Sequence, residues 1–206
     1  MKWVKNMFKT IIFDLGGVYF KNGTNNAIKS ISYKYKIPKE KVADILKGDL
    51  GIKYRCGKVS ANQFWEKAKK YWKINASNKR LANLWFREYP LIKGTSKIID
   101  RLKKAGYELV ILSDNVKERV EYLDKKYHFL NKFKCGSFSH LARTLKPNIK
   151  IYKIALKKSS SPAKECIYID DNAPLLVPAN RLGMKTIAFK NPSQLEGELK
   201  EAGLKF

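Results

Sequence analysis

IIFDLGGV, residues Ile11–Val18, sets an apolar run against an aspartate and a pair of glycines. With Thr10 before it, the run TIIF is short and rich in β-branched residues, the pattern of a strand buried on both faces. A carboxylate where such a strand ends, followed by Gly16-Gly17, predicts Asp14 at the rim of a sheet with open backbone around it. Similar runs follow at Tyr107–Leu112 (YELVIL), Cys166–Ile169 (CIYI) and Lys185–Phe189 (KTIAF), with a weaker one at Phe133–Phe138. Amphipathic stretches of helical length lie between them: Thr95–Ala105, which Gly106 stops, Ile149–Lys157 and Pro174–Leu182. Strand and helix in alternation predict an α/β domain around a parallel sheet.

Residues 21–90 break that rhythm. They hold no clear strand and read as four helices, Asn25–Lys36, Lys39–Lys47, Ala61–Lys73 and Asn78–Tyr89, inserted directly after the first strand. The third opens on a capping box, Ser60 with Gln63 three residues on, and carries Phe64, Trp65, Ala68 and Trp72 as its apolar stripe. The spacing of Trp65, Tyr71, Trp72, Trp85 and Phe86 assigns them to a core.

Composition excludes several classes. Apolar residues make up 44% of 206, enough for a real core, and no apolar run reaches the length of a membrane-spanning helix. Met1–Phe20 begins basic and then turns apolar, but Asp14 interrupts it and no small-residue cleavage site follows, so it is not read as a signal peptide. Residues 1–6 read as an extension or an early start, Met7 giving the more usual spacing to the first strand. Cys56, Cys135 and Cys166 are odd in number and far apart, which fits neither a disulfide framework nor a zinc site. A cytoplasmic protein is expected.

Lys+Arg 43 against Asp+Glu 18 gives a formal +25, and residues 21–90 are the denser part at +12. Only seven of the 43 are Arg, and the lysines are dispersed. Base readout and bidentate phosphate clamps favour Arg, so the charge reads as a solvated surface rather than a nucleic-acid footprint. A basic field also concentrates small phosphorylated anions where a site exists to use them.

Such a site is written at the strand ends, where open α/β sheets bind ligands. Asp14 is joined by Ser113-Asp114-Asn115 after VILS, by Lys146-Pro147 in LKPNIKIY with Tyr152 behind, and by Asp170-Asp171-Asn172 after CIYI. Clustered carboxylates repel unless a cation sits among them, and hard oxygen ligands select Mg²⁺. With Mg²⁺ and Lys146 neutralising a phosphoryl group, Asp14 is placed to attack phosphorus.

In that order the segments resemble the haloacid dehalogenase superfamily of aspartate-nucleophile phosphatases over nearly the whole chain. IIFDLGGV corresponds to its first motif, ILSDN to the second, LKPNIKIY to the third and YIDDNAPLLVPANRLGMKTIAF to the fourth. DLGGV with IDDNA most resembles the branch that includes alpha-D-glucose-1-phosphate phosphatase. The resemblance implies a Rossmann-like core over 1–20 and 91–206, with 21–90 as a helical cap. It implies an aspartyl-phosphate on Asp14, phosphate held at Ser113 and Asp114, charge stabilised by Lys146, and Mg²⁺ at Asp14, Gly16, Asp170 and Asp171. At Gly16 most phosphatases of the superfamily carry an aspartate that protonates the leaving oxygen, while a glycine still offers its carbonyl to the metal. General acid–base catalysis is worth about 10²–10⁴-fold, so acidic leaving groups such as sugar 1-phosphates, aryl and acyl phosphates fit best. His140, Asp114 or water stand as replacements for the acid. Leu175 and Pro178 also depart from the family pattern, with an effect expected on packing.

Simpler roles compete for some of these residues. Ser113 also suits an N-cap for a helix starting near Val116, and Asn172 a loop. His128 reads as a surface residue, and Cys166 as a small buried hydrophobe. The expected partner is a small phosphorylated metabolite, with no membrane or nucleic acid, and the chain is expected as a monomer or homodimer. A catalytically weak phosphoryl-binding protein is the alternative that Gly16 raises. A metal-free 2-haloacid dehalogenase is disfavoured, because it gains nothing from Asp170 and Asp171.

Overall fold

The computed structural model describes residues 7–206, so the reading of residues 1–6 lies outside it. Five apolar runs form one sheet: β1 (Thr10–Phe13), β2 (Glu108–Ser113), β3 (Cys135–Phe138), β4 (Cys166–Asp170) and β5 (Lys185–Ala188). Their order is β3-β2-β1-β4-β5 and every neighbouring pair is parallel. β1 is therefore central and buried throughout. Its side chains alternate between two cores, Ile11 and Phe13 on one face, Ile12 on the other. Successive strands step outward from β1 to β3 and then return to the far side of β1 as β4. The topological switch point thus lies where β1 and β4 end side by side.

β2 begins and ends one residue later than its apolar run predicts, which makes Ser113 the last residue of the strand. The N-cap role for Ser113 is corrected accordingly: Val116 occupies that position, without a side-chain cap, at the start of α7 (Lys117–Tyr127).

Between β1 and β2 lie α1 (Thr24–Tyr35), α2 (Lys39–Lys47), α3 (Asp49–Arg55), α4 (Ala61–Trp72), α5 (Asn78–Phe86) and α6 (Lys93–Lys104). Residues 21–90 thus hold five helices where four are expected; the addition is α3. The α4 capping box forms in both directions, Gln63 N donating to Ser60 Oγ at 3.2 Å and Ser60 N to Gln63 Oε1 at 2.9 Å. Phe64, Trp65, Trp72, Trp85 and Phe86 are buried. Tyr71 is not: it is 47% exposed, and its hydroxyl turns outward to Asp44. The chain leaves and re-enters the sheet region through two segments joined by an antiparallel bridge between Phe20 and Leu91. Lys21 N donates to Pro90 O, and Ile92 N to Tyr19 O, each at 2.9 Å.

After β3 come α8 (Ser139–Ala142), α9 (Ile149–Lys158), α10 (Val177–Arg181) and α11 (Pro192–Glu201). The single helix expected over 174–182 is instead a 3-10 turn, Ala173–Leu176, running into α10. Pro178 in the first turn suits such a restart, since no intrahelical hydrogen bond is demanded of its nitrogen there. Cys56, Cys135 and Cys166 are free thiols, and Cys166 is fully buried in β4. Among the described residues, no helix is long and apolar enough to cross a membrane.

Candidate active site

Asp14 follows β1 directly, and its backbone N–H still donates to Ile169 O of β4 at 2.9 Å. That bond fixes the aspartate at the switch point, beside the end of β4 where Asp170 and Asp171 emerge. The turn that follows needs its second glycine. Gly17 has φ +93°, and a Cβ there would lie 2.0 Å from Asp171 Oδ2. Gly16 differs: a Cβ added to it meets nothing within 4 Å.

Lys146 reaches this cluster from the loop before α9. Its Nζ lies 2.6 Å from Asp170 Oδ2 and 3.1 Å from Asp14 Oδ1, with all three side chains almost completely buried. The Tyr168 hydroxyl donates to the same Asp170 oxygen, and Asn172 N donates to Asp170 Oδ1 at 2.9 Å. Asp114 Oδ1 accepts from Lys146 N at 3.1 Å, which anchors the lysine's backbone. Tyr152 acts from behind. Its ring meets Tyr168 edge-on, with centroids 5.6 Å apart, and its hydroxyl donates to Leu175 O at 2.7 Å.

Carboxylate oxygens of Asp14, Asp170 and Asp171 come within 4.8 Å of one another. Burial pushes Asp14 up to about 7, although Lys146 pulls the other way. Asp171 is raised by burial and then by Asp170, and Asp114 by burial. For Lys146, burial favours the neutral amine, but Asp14, Asp170 and Asp114 together more than offset it, so the ammonium persists. Three clustered carboxylates against one ammonium leave a deficit that a divalent cation with oxygen ligands would match. The residues fit such an ion.

All of Asp14, Gly16, Ser113, Asp114, Lys146, Asp170 and Asp171 line one cavity of about 480 Å³, a volume suited to a small metabolite. Asn172 and Leu175 line it too, so Leu175, expected to affect packing, borders the cavity. His140 is not among the lining residues; its Nδ1 is 2.8 Å from Asn115 O and its ring stacks on Phe138. His128 is exposed at the end of α7.

Sequence reasoning missed the rest of the lining. Arg55 at the end of α3, Arg119 of α7, Tyr89, Thr24 and Asn22 all face the cavity. Arg119 is 4% exposed and held in place: Nε donates to Asn115 Oδ1 at 2.5 Å and Nη1 to Tyr89 OH at 2.8 Å. Its guanidinium also stacks on Tyr89, 4.3 Å from the ring centre. Tyr168 was hidden by a strand in which an aromatic reads as core.

The haloacid dehalogenase-like hydrolase family model matches residues 11–189, and the chain belongs to that family. It is 29% identical over 214 residues to an uncharacterised protein of Dictyostelium discoideum, covering 90% of this chain and 92% of that one. Among solved structures it resembles a predicted haloacid dehalogenase-like hydrolase from Porphyromonas gingivalis. The TM-score is 0.79 at 20% identity, over 97% of this chain and 100% of that one. It also resembles a family enzyme from Bacteroides thetaiotaomicron solved with magnesium and inorganic phosphate. There the TM-score is 0.75 at 20% identity, over 89% and 95% of the two chains. The five-stranded parallel sheet with flanking helices is this family's Rossmann-like fold.

Proposed function

We propose that the chain is a Mg²⁺-dependent phosphatase that hydrolyses a small phosphorylated metabolite through an aspartyl-phosphate on Asp14. The observation that carries this reading is the buried arrangement of Asp14, Asp170 and Lys146, with Nζ at 3.1 and 2.6 Å from the two acids and Asp171 beside them. The dehalogenase reading has no use for the two extra carboxylates. Mg²⁺ would be held by Asp14, Asp170, Asp171 and the Gly16 carbonyl, supplying positive charge where negative charge builds on the phosphoryl oxygens. The magnesium and phosphate bound by the Bacteroides enzyme accord with this use of the site.

In the first step an Asp14 oxygen forms a bond to phosphorus as the ester P–O bond breaks. Residue 16 has no acid to give the departing oxygen its proton, which comes instead from Asp114, raised by burial in the same cavity, or from water. In the second step water attacks the aspartyl-phosphate, releasing inorganic phosphate and regenerating Asp14. Lys146 neutralises charge on the transferring group, with Asp170 and Tyr168 fixing its ammonium and Asp114 its backbone. Ser113, at the tip of β2, hydrogen-bonds the phosphate, with Asp114 beside it. The helical unit over 21–90 serves as a cap on the core either side of it, covering the cavity and limiting water.

The test is phosphate release from an aryl phosphate and a panel of sugar phosphates, with Mg²⁺ and with chelator. Activity is expected only with the metal, highest on sugar 1-phosphates and aryl phosphates, and abolished by Asp14→Asn. No release from any compound by folded, Mg²⁺-binding protein would overturn the reading in favour of phosphoryl binding without turnover.

A further inference from the structure

Arg55 faces the same cavity from the last position of α3, and its surroundings differ from those of every other cation there. Lys146 is neutralised by Asp14 and Asp170, and Arg119 is fixed by Asn115 and Tyr89. Among the described residues the Arg55 side chain donates once, from Nη1 to Leu46 O at 2.9 Å. Among the described residues neither Arg55 nor Arg119 forms an ion pair with any carboxylate. Arg55 is half-buried; burial and then the like charge of Arg119 disfavour its protonated form, and Asp114 in the same cavity offsets them only in part. A half-buried guanidinium with donors to spare and a like charge nearby is a poor arrangement for stability alone. It becomes a favourable one when an anion enters.

Two further observations point the same way. The chain has only seven Arg among its 43 basic residues, yet both cations that join Lys146 in the cavity are Arg, the side chain whose planar fork matches carboxylate and phosphate oxygens. The backbone that carries Arg55 is also tied down. Its carbonyl accepts from Ser139 Oγ at 2.7 Å, the neighbouring Tyr54 hydroxyl donates to Glu118 Oε2 at 2.8 Å, and Arg143 donates to Gly57 O. α3 is thereby pinned to α7 and α8, and the guanidinium is held over the cavity in advance of any ligand.

Building on the phosphatase reading, we propose that the substrate carries a second anionic group, a carboxylate or another phosphoryl, and that Arg55 binds it while the reacting phosphoryl lies at Asp14. Arg119 supports it as a fixed charge, held in place by Asn115 and Tyr89. The substrate class narrows from small phosphate esters to esters with an anionic far end.

Three sugar 1-phosphates that share an anomeric leaving oxygen and differ at the far end test this: glucose 1-phosphate, glucuronic acid 1-phosphate and glucose 1,6-bisphosphate, the last followed by the glucose 6-phosphate it releases. Binding is measured by calorimetry with Mg²⁺ on the Asp14→Asn protein, and kcat/KM on the wild type. At least one of the two anionic-ended compounds is expected to bind and react about tenfold or more better than glucose 1-phosphate, and the better of them identifies the anion. Arg55→Gln should bring that ratio to about one, and Arg55→Lys should keep part of it. A ratio near one in the unsubstituted Arg55 protein overturns the inference without any variant. A ratio that survives Arg55→Gln with an unchanged Tm overturns it as well. Selective binding without phosphate release would sustain the Arg55 assignment and remove the phosphatase reading alone. No binding of any of the three would remove both.

Discussion

Gly16 and Gly17 stand side by side and do opposite things. Gly17 is demanded by its positive φ and by Asp171 pressed against its Cα. Gly16 faces open space, so nothing steric forbids a side chain there. A Cβ at 16 would therefore meet no neighbour at the edge of the cavity that Gly16 lines. Gly16→Asp should raise turnover of alkyl phosphates, whose leaving oxygen most needs a proton, by about tenfold or more out of the 10²–10⁴ available to general acid catalysis. Aryl phosphates should gain far less. Steady-state rates on one alkyl and one aryl phosphate check this, and an equal gain on both would mean that the new carboxylate acts through the metal. Most of the candidate cluster is legible residue by residue, because Asp14, Ser113 and the Asp170-Asp171 pair each lie at the end of an apolar run visible in the sequence, while Lys146 is marked instead by Pro147 and Tyr152 after it. Tyr168 and Arg119 are not. A tyrosine inside CIYI reads as packing, and an arginine on the amphipathic α7 reads as solvated until its partners at Asn115 and Tyr89 are seen.

At the scale of elements, α3 decides how the inserted helices meet the core. Its sequence DLGIKYR hides it, since a glycine in the middle of seven residues reads as a breaker. The folded chain gives Gly51 another purpose: a Cβ there would lie 2.4 Å from Leu46 O, so glycine lets α3 press against the end of α2. That close packing aims Arg55 at the cavity, which is why helix and arginine were missed together. The strands, by contrast, are visible because a central parallel strand must be apolar on both faces. Tyr54 is the testable part of the anchoring. It is 3% exposed, stacks on Phe64 with ring centres 4.4 Å apart, and donates to Glu118 across the gap to α7. Tyr54→Phe keeps the stack and removes the hydrogen bond to a charged acceptor, worth roughly 1.5–3 kcal/mol where fully made and less here because Glu118 is half-buried. Urea unfolding should show a loss of about 1 kcal/mol with an unchanged slope. No loss would mean that the Tyr54–Glu118 hydrogen bond adds nothing to the apolar contacts and the Ser139 and Arg143 hydrogen bonds that hold α3.

Over the whole molecule the formal +25 is an energetic fact as much as a compositional one. Ion pairs such as Lys53–Asp49 and Lys117–Glu121 lie at the surface with both partners half or more exposed, where each contributes about 0–1 kcal/mol. The remaining lysines repel one another across the surface, and the folded state holds them closer together than the unfolded chain does. The Lys146 cluster is exempt, since its charges are buried and salt does not reach them. Repulsion therefore outweighs attraction wherever salt can act, and screening should stabilise the fold. Raising sodium chloride from about 20 to 300 mM shortens the screening length from roughly 20 Å to about 6 Å, below the spacing of most surface lysines. Tm should rise by several degrees over that range. Chloride is the proper anion for the test, because phosphate or sulfate would, on the proposed function, add binding at the cavity to the screening. A Tm that falls with sodium chloride would show the surface ion pairs to be worth more than the repulsion among the unpaired lysines, and the basic surface would then be a source of stability rather than a load upon it.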